Sequence, residues 1–435
     1  MPTNFFNKGR FYRLKNINIT ELPNGLKIIT EKVGYVKSFS LGFWFNVGSR
    51  DETPRNSGIS HFLEHMFFKG TKKRSAKNIA EDIESLGGYL NAFTSKEHTC
   101  FYGRGLSAHI EKTFEVLADM IQNSVFNPKE IEKESAVVID ELHDIEDSPD
   151  ELIFDKFESN VFKGNPLGMP IIGTEKNLRS FTQKDLTDFV KENYTFDRFY
   201  IVASGDIDHK ELVDFAKKYI TKNLNKTNDK KRELIISPAI DRYVAKETQQ
   251  VHYIVGKPTF GIKEKRRNIV SLLSHILGEG SSSRLFQKIR EENGIAYQVN
   301  SFLNSFFDIS TFGIYLSTNN KSVFKAQDLI FEEIDKIKRK KVGEIELNRA
   351  KEYLIGNMLM SLESTTNRML RIAQSVIYFN KIKSIDETVK HIQSVTADEI
   401  REMSNELFYS SNKFENGGLT RVILSSKNIL IKKVA

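Results

Sequence analysis

Residues 58–70 have the sequence Gly58-Ile59-Ser60-His61-Phe62-Leu63-Glu64-His65-Met66-Phe67-Phe68-Lys69-Gly70. As a helix, this stretch carries two stripes at i, i+3, i+4 spacing, the spacing that places side chains on one face. The first stripe is apolar and typical of a buried face: Ile59, Phe62, Leu63, Met66 and Phe67. The neighbouring stripe consists of His61, Glu64, His65 and Phe68. The pattern therefore predicts a helix that is buried on one side and presents two imidazoles and a carboxylate beside it.

The order His61-x-x-Glu64-His65 places two imidazoles one helical turn apart, so that both can bind one metal ion. It is the order found in the inverted zinc peptidases. Chance would produce it in about one or two of a hundred chains with this histidine content. The alternative is a helix whose histidines only pack or form hydrogen bonds, but Glu64 on so apolar a helix would then be costly without a partner. A metal ion supplies that partner.

The composition is typical of a globular protein with two domains. At 435 residues the chain is too long for one ordinary core, and two domains of about 200 residues are expected. No run of about 18 apolar residues occurs, so we expect no membrane span. Cys100 is the only cysteine, which excludes an intrachain disulfide and a cysteine-ligated zinc site. The 64 basic residues are interspersed with 57 acidic ones, which favours a mixed solvated surface over nucleic-acid binding.

The order of helix and strand patterns predicts an α+β fold of two homologous domains, each an antiparallel sheet with helices packed on one face. We assign residues 1–221 to a zinc-binding catalytic domain, and the stretch 222–246, rich in lysine and asparagine, to a linker. Residues 247–435 form the second, metal-free domain, with helices predicted at 323–338, 344–362 and 397–407.

The two halves match as a duplication at an offset of 210 residues. Under this offset His65 falls on His275, whereas His61 falls on Ser271 and Glu64 falls on Ser274. The second copy therefore keeps the helix and loses the metal ligands. We expect it to contribute substrate binding and not a second catalytic centre.

A third metal ligand is expected from elsewhere in the chain, because a catalytic zinc takes three protein ligands and leaves one position for water. The predicted helix 130–145 offers Glu134 and Glu141, which are seven residues apart and hence on one face. The spacing alone leaves both open as ligands. For either one, the alternative is a solvated charge on a highly charged helix.

Over nearly the whole chain, these features resemble the pitrilysin family of inverted zinc metallopeptidases. The resemblance is strongest to the β subunit of mitochondrial processing peptidase and its single-chain bacterial relatives. It implies one Zn²⁺ per chain and two halves that close on a peptide like a clamshell. It also implies that Glu141, 76 positions after His65, is the third ligand and that Glu134 supports the site through hydrogen bonds. Glu64 is then the general base of peptide hydrolysis.

The resemblance extends to residues that contact the substrate. Residues 88–94 resemble an edge strand to which an extended peptide adds as a further strand, with Asn91 as a substrate contact. In the second half, Arg290 and Tyr297 match a pair that reaches the substrate, and Tyr297 would stabilise the oxyanion. The alternative for residues 88–94 is an ordinary sheet strand, and the alternative for Arg290 is a charge on the surface of a helix.

The resemblance also implies roles in substrate binding for three further positions. Glu151 and Asp155, one helical turn apart, match acidic residues that hold a substrate arginine in the processing peptidase. Phe68 matches the position that receives an apolar residue after the cleaved bond. Helix acids and a core phenylalanine are the alternative roles.

We therefore expect a zinc endopeptidase that hydrolyses short or unfolded peptides bound as an added β-strand. The alternative is a non-catalytic structural subunit, or a subunit of a processing-peptidase-like complex that depends on a partner chain. The intact motif disfavours the first, and the presence of Arg290 and Tyr297 in the same chain disfavours the second. We expect a monomer or homodimer, with a related partner chain as the alternative, in a bacterial-type cytoplasm; an organellar location stays open.

Overall fold

The computed structural model describes residues 16–222, 224, 232, 238–408 and 419–426. Within these residues the chain forms a six-stranded and a five-stranded sheet. The strands of the first sheet are β1 (Ile17–Glu21), β2 (Lys27–Lys32), β3 (Ser38–Phe45), β4 (Tyr89–Thr94), β5 (Thr99–Leu106) and β6 (Phe199–Gly205). Those of the second sheet are β7 (Asp241–Ala245), β8 (Val251–Phe260), β9 (Ala296–Ser305), β10 (Ile309–Thr318) and β11 (Thr420–Ser425).

The two sheets share one connectivity. The first has the order β1-β2-β6-β3-β5-β4, and the second has the order β7-β11-β8-β10-β9, which is the same arrangement without a counterpart of β1. The α+β class with two homologous halves is thus confirmed. The antiparallel description needs a correction at one pair in each sheet, because β2 pairs with β6 and β7 pairs with β11 in parallel. These pairs join strands far apart in sequence, so no hairpin constrains them to be antiparallel.

The helices alternate with the strands in both halves. In the first half they are α1 (Ile59–Phe67), α2 (Ala76–Glu84), α3 (Ile110–Asn123), α4 (Pro128–Asp147), α5 (Pro149–Val161), α6 (Glu175–Leu178), α7 (Gln183–Asn193) and α8 (His209–Tyr219). In the second half they are α9 (Arg267–Gly278), α10 (Val323–Arg339), α11 (Glu344–Ser361), α12 (Thr365–Phe379), α13 (Ile385–Ser394) and α14 (Ala397–Leu407). A π-helical turn, Phe286–Glu291, lies between α9 and β9.

Each sheet buries one face against helices of its own half. On β3 the side chains that alternate toward this core are Phe39, Leu41, Phe43 and Phe45, all fully buried. The apolar stripe of α1 packs into the same core, as predicted from its spacing. In the second half, α9, α10 and α14 supply the equivalent cover for β8 and β10.

The opposite face of each sheet is covered by a helix from the other half. Helix α12 packs Met369, Ile372 and Val376 against Trp44 on the first sheet. Helix α5 packs its own apolar residues, such as Phe157, against β8 and β11 of the second sheet. Within each half the helices lie on one face of the sheet, as expected, and the second face is covered by a helix that the other half supplies. The exchange is reciprocal: α5 and α12 occupy equivalent positions after the long helices α4 and α11.

Strand β7 lies within residues 222–246, the stretch expected as linker, and forms the edge of the second sheet. Its neighbour β11 places the buried Arg421 against Asp241 at the start of β7. The remaining part of that stretch lies mostly outside the described residues, and the domain boundaries stay a prediction.

A buried ion-pair cluster joins the two halves. The Arg50 guanidinium donates to both carboxylate oxygens of Asp308, with each N···O distance 2.7 Å, and to Glu97 at 2.6 Å. The second oxygen of Glu97 accepts from the backbone N–H of Phe307 at 2.9 Å. Because Asp308 and Phe307 lie in the β9–β10 turn, this turn is held beside the segment that leads to α1.

His98 gives the fold a defined sensitivity to acid. Its ring is buried among the rings of Trp44, Phe93 and Tyr378, with centroid distances of 5.4, 6.1 and 6.2 Å. Burial, with a smaller effect of the Arg232 charge, lowers the pKa of His98 to about 4. Protonation therefore favours the unfolded chain, and the free energy of unfolding should fall by on the order of 3 kcal/mol as the pH drops from 6.5 to 4.

We expect His98→Phe to reduce this acid sensitivity by about that amount, because the phenyl ring fills the site without a titrating group. Urea unfolding of the metal-free protein at pH 7, 5.5 and 4.5 measures the difference from the wild type. The exposed His391 provides the control: His391→Gln should keep the wild-type pH dependence. An unchanged slope in His98→Phe would contradict the expectation.

Among the described residues, no helix combines the length and apolar character needed to cross a bilayer.

Candidate metal centre

Helix α1 starts at a glycine because no larger residue fits. Gly58 precedes the helix with φ +97°, and a Cβ there would lie 2.6 Å from the carbonyl oxygen of Ile172. The helix then buries its apolar stripe and leaves the second stripe half-buried. This orientation turns His61, Glu64 and His65 toward α4, which α1 contacts along its length.

His61, His65 and Glu141 come together, as the motif and the resemblance predict. One ligand atom from each of the three lies within 4.8 Å of the others, and this is the one such group of His, Cys, Asp or Glu found in the described chain. Nε2 of His61 is 3.7 Å from Oε1 of Glu141, and Nε2 of His65 is 3.6 Å from Oε2 of the same carboxylate.

These separations suit a shared metal ion better than direct contact. Hydrogen bonds between nitrogen and oxygen span roughly 2.7–3.2 Å, so neither distance is one. A tetrahedral ion that holds nitrogen and oxygen ligands at about 2.1 Å separates the ligand atoms from one another by about 3.4 Å. The side chains present therefore fit a zinc ion with two imidazole ligands and one carboxylate ligand.

Glu134 fixes the orientation of His65. Nδ1 of His65 lies 2.9 Å from Oε1 of Glu134, and Lys69 Nζ lies 2.5 Å from Oε2. A carboxylate accepts only, so Nδ1 carries the proton and Nε2 is left for a metal. Burial raises the pKa of Glu134, but the hydrogen bonds of His65 and Lys69 outweigh it and the pKa is lowered. This is the supporting arrangement expected for Glu134.

The two imidazoles have opposite pKa shifts. Burial and the neighbouring His65 lower the pKa of His61 to about 4. Burial also lowers the pKa of His65, but the hydrogen bond and charge of Glu134, with the charges of Glu141 and Glu64, raise it above its ordinary value. Burial raises the pKa of Glu141, against the effect of His65.

Glu64 lies beside the three-residue cluster and is held by a hydroxyl group from the neighbouring strand. Thr94 Oγ1 donates to Oε2 of Glu64 at 2.6 Å. Burial raises the pKa of Glu64, while the Thr94 hydrogen bond and the charge of His65 lower it. The arrangement leaves Oε1 of Glu64 for a water molecule, and the net effect is a pKa of Glu64 above its ordinary value.

Strand β4, which contributes Thr94, is the edge strand of the first sheet and contacts α1. Its outer edge lies next to the cluster, where an extended peptide could pair with it. The Asn91 amide donates to the hydroxyl of Tyr89 at 2.8 Å. Phe68 caps the end of α1 and is half-buried against the first core.

The acidic pair on α5 has a partner in this chain. Glu151 is exposed and Asp155 is partly buried. Burial raises the pKa of Asp155, and the nearby Lys96 lowers it. Lys96 also lies 3.3 Å from Glu158 and donates to the carbonyl of Met169 at 2.6 Å. Lys96 therefore partly offsets the negative charge at Asp155.

Arg290 and Tyr297 contact each other and not the metal cluster. The Arg290 guanidinium lies 4.8 Å from the centre of the Tyr297 ring and 4.7 Å from that of Phe286. Tyr297 is 76% exposed on β9. In the described structure neither side chain has a polar or ring contact with His61, His65 or Glu141.

Sequence comparison supplies the family. Residues 27–175 match the family described as Insulinase (Peptidase family M16), and residues 180–354 match the Peptidase M16 inactive domain. The chain is 37% identical over 402 residues to an uncharacterized zinc protease of Rickettsia bellii, covering 91% of this chain and 96% of that protein. It is 36% identical over 388 residues to an uncharacterized zinc protease of Bacillus subtilis, covering 88% and 94%. The chain belongs to peptidase family M16.

Solved structures support the fold of this M16 chain. A protease from Helicobacter pylori aligns with a TM-score of 0.87 at 23% identity, covering 94% of this chain and 99% of that one. A peptidase M16 inactive domain from Pseudomonas fluorescens aligns with a TM-score of 0.87 at 18% identity, covering 95% and 98%.

In the second half of the M16 chain, the counterparts of His65 and Glu64 contact neighbouring side chains of that half. His275, the counterpart of His65, stacks on Tyr353 with the ring centres 4.3 Å apart. Ser274, the counterpart of Glu64, donates to Glu279 at 2.7 Å. That the second half carries no metal ligands stays a prediction.

Two residues that form hydrogen bonds with α1 or its first turn were not singled out from the sequence. Thr94 lies at the end of the predicted edge strand, and only the approach of β4 to α1 reveals its contact with Glu64. Glu52 lies in an irregular segment before α1, and no local pattern marks it.

Proposed function

We propose that this protein is a zinc-dependent endopeptidase that hydrolyses short or unfolded peptides bound as an added strand on β4. The observation that carries the proposal is the His61–His65–Glu141 cluster, whose ligand atoms are spaced for one ion, with Glu64 beside it. The bacterial relatives named as zinc proteases support the same chemistry.

The metal would be held by Nε2 of His61, Nε2 of His65 and the Glu141 carboxylate. Two imidazoles and one carboxylate are a usual ligand set for catalytic zinc, with the fourth position open. The bound ion would act as a Lewis acid that activates a water molecule and polarises the scissile carbonyl.

The reaction needs a base and a proton donor, and Glu64 can serve as both. Its Oε1 accepts the proton of the attacking water, and the same carboxyl group then passes that proton to the leaving amine. Thr94 holds the other oxygen and so keeps Glu64 turned toward the cluster. Tyr297 is proposed to stabilise the oxyanion, which requires the second half to bring β9 toward α1 as the halves close.

The substrate would pair with the outer edge of β4. This mode needs an extended backbone, which limits substrates to short or unfolded chains. Asn91, Phe68 and Arg290 are proposed as contacts along this peptide. The acidic residues Glu151 and Asp155 are proposed to hold a substrate arginine, as the likeness to processing peptidase implies, with Lys96 as an internal competitor.

The alternative is a silent structural subunit or one that needs a related partner chain. The intact cluster supports the catalytic proposal over the first. For the second, we propose a monomer or homodimer, because one chain carries both the cluster and Tyr297. A bacterial-type cytoplasmic location and the absence of nucleic-acid partners remain part of the proposal.

The proposal is tested by incubating the zinc-loaded protein with a basic, unstructured peptide of about 20 residues and identifying the products by mass spectrometry. We expect internal cleavage, which stops after chelation and returns with added zinc. Cleavage on the amino side or carboxyl side of an arginine would support the Glu151/Asp155 site. No cleavage by a protein shown to contain zinc would favour the silent or partner-dependent alternative.

A further inference from the structure

One buried carboxylate close to α1 has no part in the hydrolysis described above. Glu52 is 3% exposed, and its two oxygens accept from two backbone N–H groups at the start of α1. Oε2 accepts from Gly58 N and Oε1 accepts from Ser60 N, each at 2.8 Å. These donors have no partner within the helix, because the first four N–H groups of any α-helix lack one.

The usual cap is excluded at this helix start. Ser, Thr, Asp or Asn in the position before the helix would accept from the Ser60 N–H with its own side chain. Gly58 occupies that position, and a Cβ there would lie 2.6 Å from the Ile172 oxygen and 2.9 Å from Gly173 Cα. Glu52 thus supplies, from six residues upstream, the acceptor that the capping position cannot carry.

The segment that holds Glu52 is itself anchored. Arg50 is bound to Glu97 and Asp308, and Asp51 accepts from Arg198 at 3.4 Å and from Arg232 at 3.0 Å. The Glu52 carboxylate is therefore attached to a backbone that is fixed by ion pairs of the two preceding residues. Burial raises the pKa of Glu52 to about 8, and the two N–H donors act against this shift.

We propose that Glu52 is a positioning residue for the metal centre, which fixes the N-terminal end of α1 so that His61 and His65 meet Glu141 on α4. This inference rests on the zinc site of the proposed function. Ser60, one of its two contacts, directly precedes His61. A metal centre requires ligand distances within about 0.2 Å of their preferred values, so a small shift of α1 against α4 weakens binding.

The test compares zinc affinity in Glu52→Ala, Glu52→Gln and the wild type, by competition with a chromophoric chelator at 20 °C. We expect Glu52→Ala to weaken zinc binding by about 10–100-fold, the usual effect of losing a group that orients ligands. Glu52→Gln should fall between Glu52→Ala and the wild type, because its amide oxygen still accepts one of the two N–H groups. Melting temperatures of the zinc-free proteins are measured in parallel.

Asp241→Asn is the matched control, because it also replaces a carboxyl group that accepts hydrogen bonds from a buried donor, here Arg421 in the second sheet. It should lower the melting temperature and leave zinc affinity at the wild-type value. Wild-type zinc affinity in both Glu52 variants would overturn the proposal, even if their melting temperatures fall. If Glu52→Ala does not fold, Glu52→Gln decides alone. Failure of the wild type to cleave peptides would count only against the proposed function, since zinc titration needs no turnover.

Discussion

Glu64→Gln is expected to bind zinc as the wild type does and to lose about 10²–10⁴-fold in kcat, the usual contribution of a general acid–base group. The amide has the shape of the carboxyl group and still accepts from Thr94, so α1 and the cluster keep their geometry. It cannot take up a proton from water at neutral pH. Zinc content by metal analysis and peptide cleavage by mass spectrometry measure the two properties separately.

Glu81→Gln is the matched control for this variant, because Glu81 is an exposed glutamate of α2 that pairs with the exposed Lys77 at 3.4 Å. It should retain full activity. A Glu64→Gln protein whose rate stays within about tenfold of the wild type would refute the role of Glu64 as the base.

Glu141→Gln is expected to lower zinc affinity by more than the roughly 10–100-fold seen for groups that only orient ligands. The change removes the single negative charge among the three ligand side chains and leaves a neutral amide opposite the two imidazoles. After dialysis against buffer with a weak chelator, the variant should lose its zinc while the wild type retains it. Cleavage should fall in proportion to the metal content.

The control is Asp140→Asn, an exposed carboxylate next to Glu141 on α4. It changes the helix charge by the same amount and should leave metal content unchanged. Equal zinc retention in Glu141→Gln and Asp140→Asn would show that the third ligand comes from elsewhere.

Sequence patterns and the family resemblance together predicted those features that depend on regular spacing within one element or on a known motif. The spacing of Ile59, Phe62 and Phe67 predicted the buried face of α1. The gathering of His61, His65 and Glu141 also agrees with the prediction, although spacing alone had left Glu134 open as the ligand.

The features that the sequence did not reveal depend on contacts between distant segments. The parallel pairing of β2 with β6 is decided by the completed sheet, and no turn signal encodes it. Helix α12 was not predicted, and neither was its position on the first sheet. One signal was present: Ser40 and Gly42 on the second face of β3 are small, and Gly42 lies where a Cβ would be 2.9 Å from the Met369 sulfur. Small residues on this face of β3 leave room for a helix to pack against it, but the local sequence does not indicate which helix that is.

Because α5 and α12 each pack on the sheet of the other half, the groups of elements that pack together do not follow the order of the chain. The first sheet packs against α12, which belongs to the second half of the sequence, and the second sheet packs against α5, which belongs to the first. Closure of the two halves on a peptide, as proposed above, would therefore have to keep each of these helices on the sheet of the other half. Cutting the chain at 222–246 would not release two independent modules, because each would carry a bare apolar sheet face and a helix without its sheet. The whole chain is the unit of folding, and the two copies of the ancestral duplication are now obligate partners within it.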